Sequence, residues 1–250
     1  MFRINLTFIR LKQGGELSWT NVDYDVNTNL TTRISGRSIS NGTNFEGRIV
    51  GGIAHNIKEF PFFASLKRYG FHTCGGSILT KQYIISAAHC FEQGRPYDWT
   101  AVLGISERRQ EWSEQSFASR VDAILVHKDF DSKTLANDVA LIRLENSIPK
   151  WTEMIQPACI RWTEDVSIKV NDPVYVIGMG LTKEGGSSTS GQLLGVGLSV
   201  LSASYCNEQF RAEYIMRGML CAGYPPGGKD ACQADSGGPL LHAGAGRVSK

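Results

Sequence analysis

The sequence predicts an all-β chain built from many short antiparallel strands. Three observations carry that reading. From Ile49 onward, short β-prone runs recur, with turn residues between them at intervals near those of a sandwich or barrel. Helical periodicity is weak, and residues 203–218 are the only fair helix candidate. There is no βαβ alternation and no repeat of fixed period.

The runs, in order, are FPFFASLKRYG, GGSILT, QYIISAA, WTAVLG, RVDAILVH, DVALIRLE, PVYVIGMG and LLGVGLSVL. Each is rich in β-branched and aromatic residues, which suit a pleated, half-buried surface. Ahead of them, residues 13–47 are rich in Gly, Ser, Thr and Asn without sustained periodicity, and read as a flexible lead-in.

Length and composition set the bounds. At 250 residues the chain suits one large domain or two small ones, and 42% hydrophobic content is ample for a core. A formal net charge of +2, with Lys and Arg scattered, implies neither a nucleic-acid nor an acidic-membrane partner. No apolar run approaches a membrane span. The amino-terminal MFRINLTFIRLK alternates apolar residues with Arg3, Asn5, Arg10 and Lys12, and shows no legible secretory signal. Six cysteines, and N-x-Thr sequons at Asn5, Asn29 and Asn41, point instead to an extracellular chain, secreted or at the cell surface. No C-x-x-C and no paired Cys/His spacing suggests zinc, and no cofactor is expected.

Three fragments carry chemistry: SAAHC with His89, NDVALIRL with Asp138, and KDACQADSGGP with Ser236. Each has a plain reading alone. His89 could be a buried structural histidine, Asp138 could cap a turn beside Asn137, and Ser236 could be a turn residue. Together they supply a base, a carboxylate to orient it and a hydroxyl to attack. Serine is a poor nucleophile at neutral pH until an imidazole takes its proton. That imidazole needs its second nitrogen held in one tautomer, which a carboxylate does. Ala234 occupies the first glycine position of a G-x-S-x-G elbow, which argues against an α/β-hydrolase.

The order RIVGG from residue 48, then CGGSIL, SAAHC, NDVALIRL and CQADSGGP, resembles a trypsin-like serine protease of the chymotrypsin family over nearly all of residues 49–250. The resemblance implies two Greek-key antiparallel β-barrels with a site in the cleft between them. It implies a pro-segment over residues 1–48 and a peptidase domain over 49–250. It makes His89 the general base, Asp138 its orienting group and Ser236 the nucleophile. Backbone N–H groups of Ala234 and Ser236 would form the oxyanion hole. Asp230 matches the acid at the base of the pocket in members that cleave after Arg or Lys, and Ala231 beside it favours Arg. Arg48–Ile49 matches the activation site, where the freed Ile49 amine pairs with Asp235 after cleavage by another protease or by the enzyme itself. The resemblance pairs Cys74 with Cys90 and Cys206 with Cys221, while Val174 and His242 hold the positions of a further family bridge. Partners implied are proteins or peptides with Arg or Lys at the cleavage site, and protein inhibitors.

The pattern also breaks. Ala234 stands where the family usually has Gly, and Met179 where it has Trp. The chain runs fourteen residues beyond Ser236 to Lys250, so the second barrel is expected to be incomplete, with unpaired strand edges. Cys159 and Cys232 are left without expected partners. Ile105 falls where the first calcium-loop acid would be, although Glu114 fits the last, so no metal site is expected. These departures keep a second reading open, a non-catalytic homologue acting as a binding or regulatory module. An unrelated all-β binding domain is the third.

Overall fold

The computed structural model describes residues 2–5, 10–11, 17–18, 32–33, 52–110, 113–160, 168–180, 191–209, 218–226 and 235–242. Four short strands come first: β1 (Phe2–Asn5), β2 (Arg10–Leu11), β3 (Leu17–Ser18) and β4 (Thr32–Arg33). After β5 (Ile53–Ala54) come β6 (Phe63–Arg68), β7 (Phe71–Ile78), β8 (Tyr83–Ser86), β9 (Trp99–Leu103), β10 (Phe117–Val126) and β11 (Ala140–Leu144). The remainder holds β12 (Cys159–Ile160), β13 (Pro173–Gly178), β14 (Leu194–Leu201), α1 (Ala203–Gln209), β15 (Met219–Gly223) and β16 (Leu240–His242). The expected strands are therefore present, and α1 begins the expected helix, whose continuation lies outside the described residues.

Strands β6 to β11 close into a barrel in the order β10-β11-β8-β7-β6-β9, all pairs antiparallel. Closure removes the sheet edges that would otherwise be open to wrong pairing. The alternation of side chains along a strand explains why several runs are apolar on both faces. On β6, Ala64 and Leu66 point into the barrel, while Phe63 faces outward. On β9, Ala101 and Leu103 point in, and Val102 faces outward. The outward set packs with Ile177, Met179, Leu193 and Leu241 of the second half, so a shared core joins the two. Met179 is fully buried there, and the residue that replaces the family's tryptophan fills interior space. Ile105 belongs to the same core.

The second half is one antiparallel sheet in the order β1-β15-β14-β13-β16, with β5 also paired to β14. Its buried face alternates cleanly: Val174 and Val176 on β13, then Leu194, Val196, Leu198 and Val200 on β14. Among the described residues this sheet stays open, as anticipated. One edge differs from expectation, because β1 lies along β15 in the register Arg3↔Cys221. A bare edge presents unpaired N–H and C=O groups, and strand addition satisfies them. β4 likewise pairs β12.

Two disulfides are formed, Cys74–Cys90 and Cys206–Cys221. Cys159 is an exposed free thiol, and Cys232 lies outside the described residues. The start of the folded body is pinned by His55. Its Nε2 meets the Tyr175 hydroxyl at 2.6 Å and its Nδ1 meets Glu59 Oε2 at 3.0 Å. Burial pushes the Tyr175 pKa up, so its hydroxyl keeps its proton and donates.

Because Leu66 is wholly enclosed in the barrel, Leu66→Ala should destabilise the fold by about 2–5 kcal/mol. Leu125→Ala, at a site 37% exposed, should shift it by less than about 0.5 kcal/mol. Denaturant titration of the two variants checks the difference; equal midpoints would refute this account of the core.

Candidate active site

The SAAHC run leaves β8 and turns at once into the short 3-10 helix Ala88–Phe91, which carries His89. The Cys74–Cys90 bridge ties that helix to β7. Asp138 reaches it from the start of β11. Asn137 just before it adopts φ 54°, a left-handed conformation that asparagine tolerates, and the chain bends sharply there. Asp138 then holds His89 twice. Its Oδ1 accepts the His89 backbone N–H at 2.8 Å, and its Oδ2 meets Nδ1 at 2.6 Å. A charge-assisted bond of that length is strong and fixes the proton on Nδ1. Nε2 is left as the acceptor.

The same contact sets the histidine's acidity. The hydrogen bond to Asp138 holds the His89 pKa above its ordinary value, against desolvation, with the nearby charges of Asp138 and Glu92 adding to the rise.

The DSGG stretch is a tight turn. Gly238 N–H donates to the Asp235 carbonyl at 2.9 Å, and Gly237 at the third position has φ +75°. That is the type II pattern, which needs glycine there. Space demands it too. A Cβ on Gly237 would collide with Ser86 Oγ and lie 2.8 Å from Ala87 N and Gly75 O. The turn is clamped to the first barrel by Gly75 N–H donating to the Ser236 carbonyl at 2.8 Å. Ser86 Oγ donates to Gly75 O at 2.7 Å and braces the clamp from behind.

Ser236 and His89 both border the Cys74–Cys90 bridge. The Cys90 sulfur lies 3.8 Å from the Ser236 carbonyl oxygen and 4.0 Å from His89 Nε2. No hydrogen bond joins the Ser236 hydroxyl to the imidazole; such bonds are commonly loose until substrate is bound. His89 and Asp138 meet directly, and Ser236 sits against the same disulfide.

Asp235 points the other way. It is 2% exposed, and its Oδ1 accepts the Gly180 N–H at 2.7 Å. A Cβ on Gly180 would sit within 2.6 Å of both carboxylate oxygens, and one on Gly178 would overlap Oδ1. The glycines of GMG are thus dictated by a carboxylate more than fifty residues away in the sequence.

Arg48, Ile49, Asp230 and Ala234 lie outside the described residues, so their arrangement stays an expectation. Ser86 and Gly75 are contributors that the sequence reading did not single out. Ser86 had one signal, a hydroxyl placed inside an apolar run. Gly75 had none, since its role is to let another backbone approach.

The family model described as Trypsin matches residues 49–249. The chain is also similar to Trypsin alpha of Drosophila melanogaster, 34% identical over 206 residues, which cover 80% of this chain and 75% of that protein.

The raised His89 pKa carries a stability consequence. The contribution of the His89–Asp138 pair is fully present below the imidazole's ordinary 6.5 and is lost as pH rises through the higher folded value. We expect Asp138→Asn to lower the His89 pKa and flatten stability against pH in that window. Histidine proton resonances followed by NMR check this; an unchanged midpoint would count against the 2.6 Å contact as its cause.

Proposed function

The chain belongs to the trypsin family of serine endopeptidases, and from that premise we propose that it hydrolyses peptide bonds through Ser236, His89 and Asp138. The observation that carries the reading is the doubly held His89–Asp138 pair beside the Ser236 turn. His89 Nε2 takes the Ser236 proton as Oγ attacks the scissile carbonyl. Asp138 keeps the second imidazole proton on Nδ1 and stabilises the imidazolium that forms. The same imidazolium then protonates the leaving amine, and water repeats the sequence to free the acyl group.

Charge on the tetrahedral oxygen falls to the backbone N–H groups of Ala234 and Ser236. One donor of this kind is typically worth about 3 kcal/mol. Asp230 is assigned the primary pocket. A carboxylate in a desolvated pocket is costly unless paired, and a substrate guanidinium supplies the partner. Ala231 has no hydroxyl to solvate an ammonium, so arginine is preferred over lysine.

Activation follows cleavage after Arg48, with residues 1–48 as the pro-segment. The freed Ile49 amine pairs with Asp235, whose burial supports the assignment, since a carboxylate so deep favours a cationic neighbour. Ile49 is four residues ahead of β5, itself bonded to β14, so about 13 Å of extended chain is available for the turn inward. Two disulfides favour an oxidising, extracellular location. Among the described residues no helix is long and apolar enough to cross a membrane.

The test is an active-site titration after cleavage at Arg48. A fluorophosphonate should label the wild type and not Ser236→Ala. Asp138→Asn should lower kcat by about 10⁴, as the same change does in the serine-protease template. Peptide amides with Arg should turn over faster than those with Lys, and far faster than those with Phe. A wild type that takes no label would dismiss the enzyme, and a preference for Phe would dismiss the role of Asp230.

A further inference from the structure

A second carboxylate–imidazole–hydroxyl relay lies away from the triad. Glu59 Oε2 meets His55 Nδ1 at 3.0 Å, and His55 Nε2 meets the Tyr175 hydroxyl at 2.6 Å. The His55 side chain is 10% exposed. Its ring packs edge-on against Phe60 and Tyr175, with centroids 4.9 and 5.6 Å away, and those two rings stack on each other at 6.0 Å. Gly195 makes the room, since a Cβ there would collide with the Tyr175 ring and lie 2.9 Å from His55 Cδ2.

The proton positions follow from the surroundings. Burial, and then the charge of Glu59, hold the Tyr175 phenol protonated. Its O–H therefore donates to Nε2, which leaves the ring proton on Nδ1 to donate to Glu59. Glu59 is held in turn at the end of the short 3-10 helix Ile57–Glu59. Its Oε1 accepts the Asn56 N–H at 3.0 Å and completes a capping box. One arrangement of protons satisfies the whole relay.

Its location gives the relay a task. His55 follows directly on β5, which has two residues and two register pairs with β14. So short a strand holds itself weakly. In that register Ala54 stands opposite Leu194, and Leu194 opposite Gly178. A Cβ on Gly178 would overlap the Asp235 carboxylate, so this row ends at Asp235. From Ala54 to Gly178 is two strand spacings, about 10 Å. Ile49 is five residues before Ala54, a reach of up to about 17 Å. Anchored in that row, the tether keeps the Ile49 amine close to Asp235. Freed from it, the tether would start at Ile57, whose N–H is held by Ser106 Oγ at 2.8 Å. A longer tether lowers the effective concentration of the amine at Asp235.

We infer that Glu59, His55 and Tyr175 are positioning residues for activation: the relay fixes the base of the tether and so sets how completely the Ile49 amine occupies Asp235 after cleavage. The inference rests on the activation reading given above. The three residues act through Asp235 and not on the substrate.

The test uses full chain cleaved after Arg48, with cyanate as the probe. A paired α-amine is protected from carbamylation, and modification of residue 49 is followed by mass spectrometry. Tyr175→Phe removes one oxygen and keeps the ring stack, so it guards against misfolding of His55→Ala. It should raise the carbamylation rate about fivefold, the usual worth of one hydrogen bond. Activity on a small arginine amide should be lost in cyanate at the same raised rate. His55→Ala should act at least as strongly.

Glu59→Gln separates a relay from a simple pin. The side chain is 54% exposed and the change is nearly isosteric. An amide has one oxygen, which accepts from His55 or is turned toward Asn56, and cannot serve both as the carboxylate does. The variant should therefore raise the carbamylation rate too, whereas a pin would tolerate it. Nitrogen NMR of the wild type should show His55 as the Nδ1–H tautomer. A wild-type amine carbamylated as fast as that of a free peptide would overturn the activation reading, and the inference with it. Protection in the wild type with equal rates in every variant would overturn the inference alone, as would an Nε2–H tautomer of His55.

Discussion

One hydrogen bond, from the Gly75 N–H on β7 to the Ser236 carbonyl, joins the two halves of the chain at their working point. Much of the local sequence serves it. Gly75 carries no side chain because a Cβ would lie 2.8 Å from Gly238 Cα. Gly237 is left-handed so that the turn can fold beneath Ser86. Ser86 holds the Gly75 carbonyl, and the Cys74–Cys90 bridge fixes β7 to the His89 helix. The loop of Ser236 is thereby placed by main-chain contacts, which are less mobile than side-chain ones.

Around that clamp, two carboxylates work on opposite sides. Asp138 is spent on His89, and its strong bond outweighs the desolvation that would otherwise lower the imidazole pKa. Asp235 is turned away into the GMG strand end, where Gly180 receives it. The Asp235 side chain thus bonds the second half of the molecule, and the Ser236 carbonyl bonds the first. The shared core of Phe63, Val102, Ile177, Met179 and Leu241 keeps the two halves in register, so these assignments hold together.

The sequence by itself was enough for the all-β class and for most strand positions, because these depend on local pattern, and its motifs nominated His89 and Asp138, which the structure brings into contact. PVYVIG and LLGVGLSV alternate as strands do, and they are β13 and β14. Other features depend on groups distant in the chain, and no local signal reports them. That β1 would occupy the edge of β15, that Gly75 must admit a backbone, and that Asp235 requires glycine at 178 and 180 were all decided by the tertiary structure. The physical reason is common to the three. Each is a steric or hydrogen-bonding demand made by a partner that only folding brings within reach.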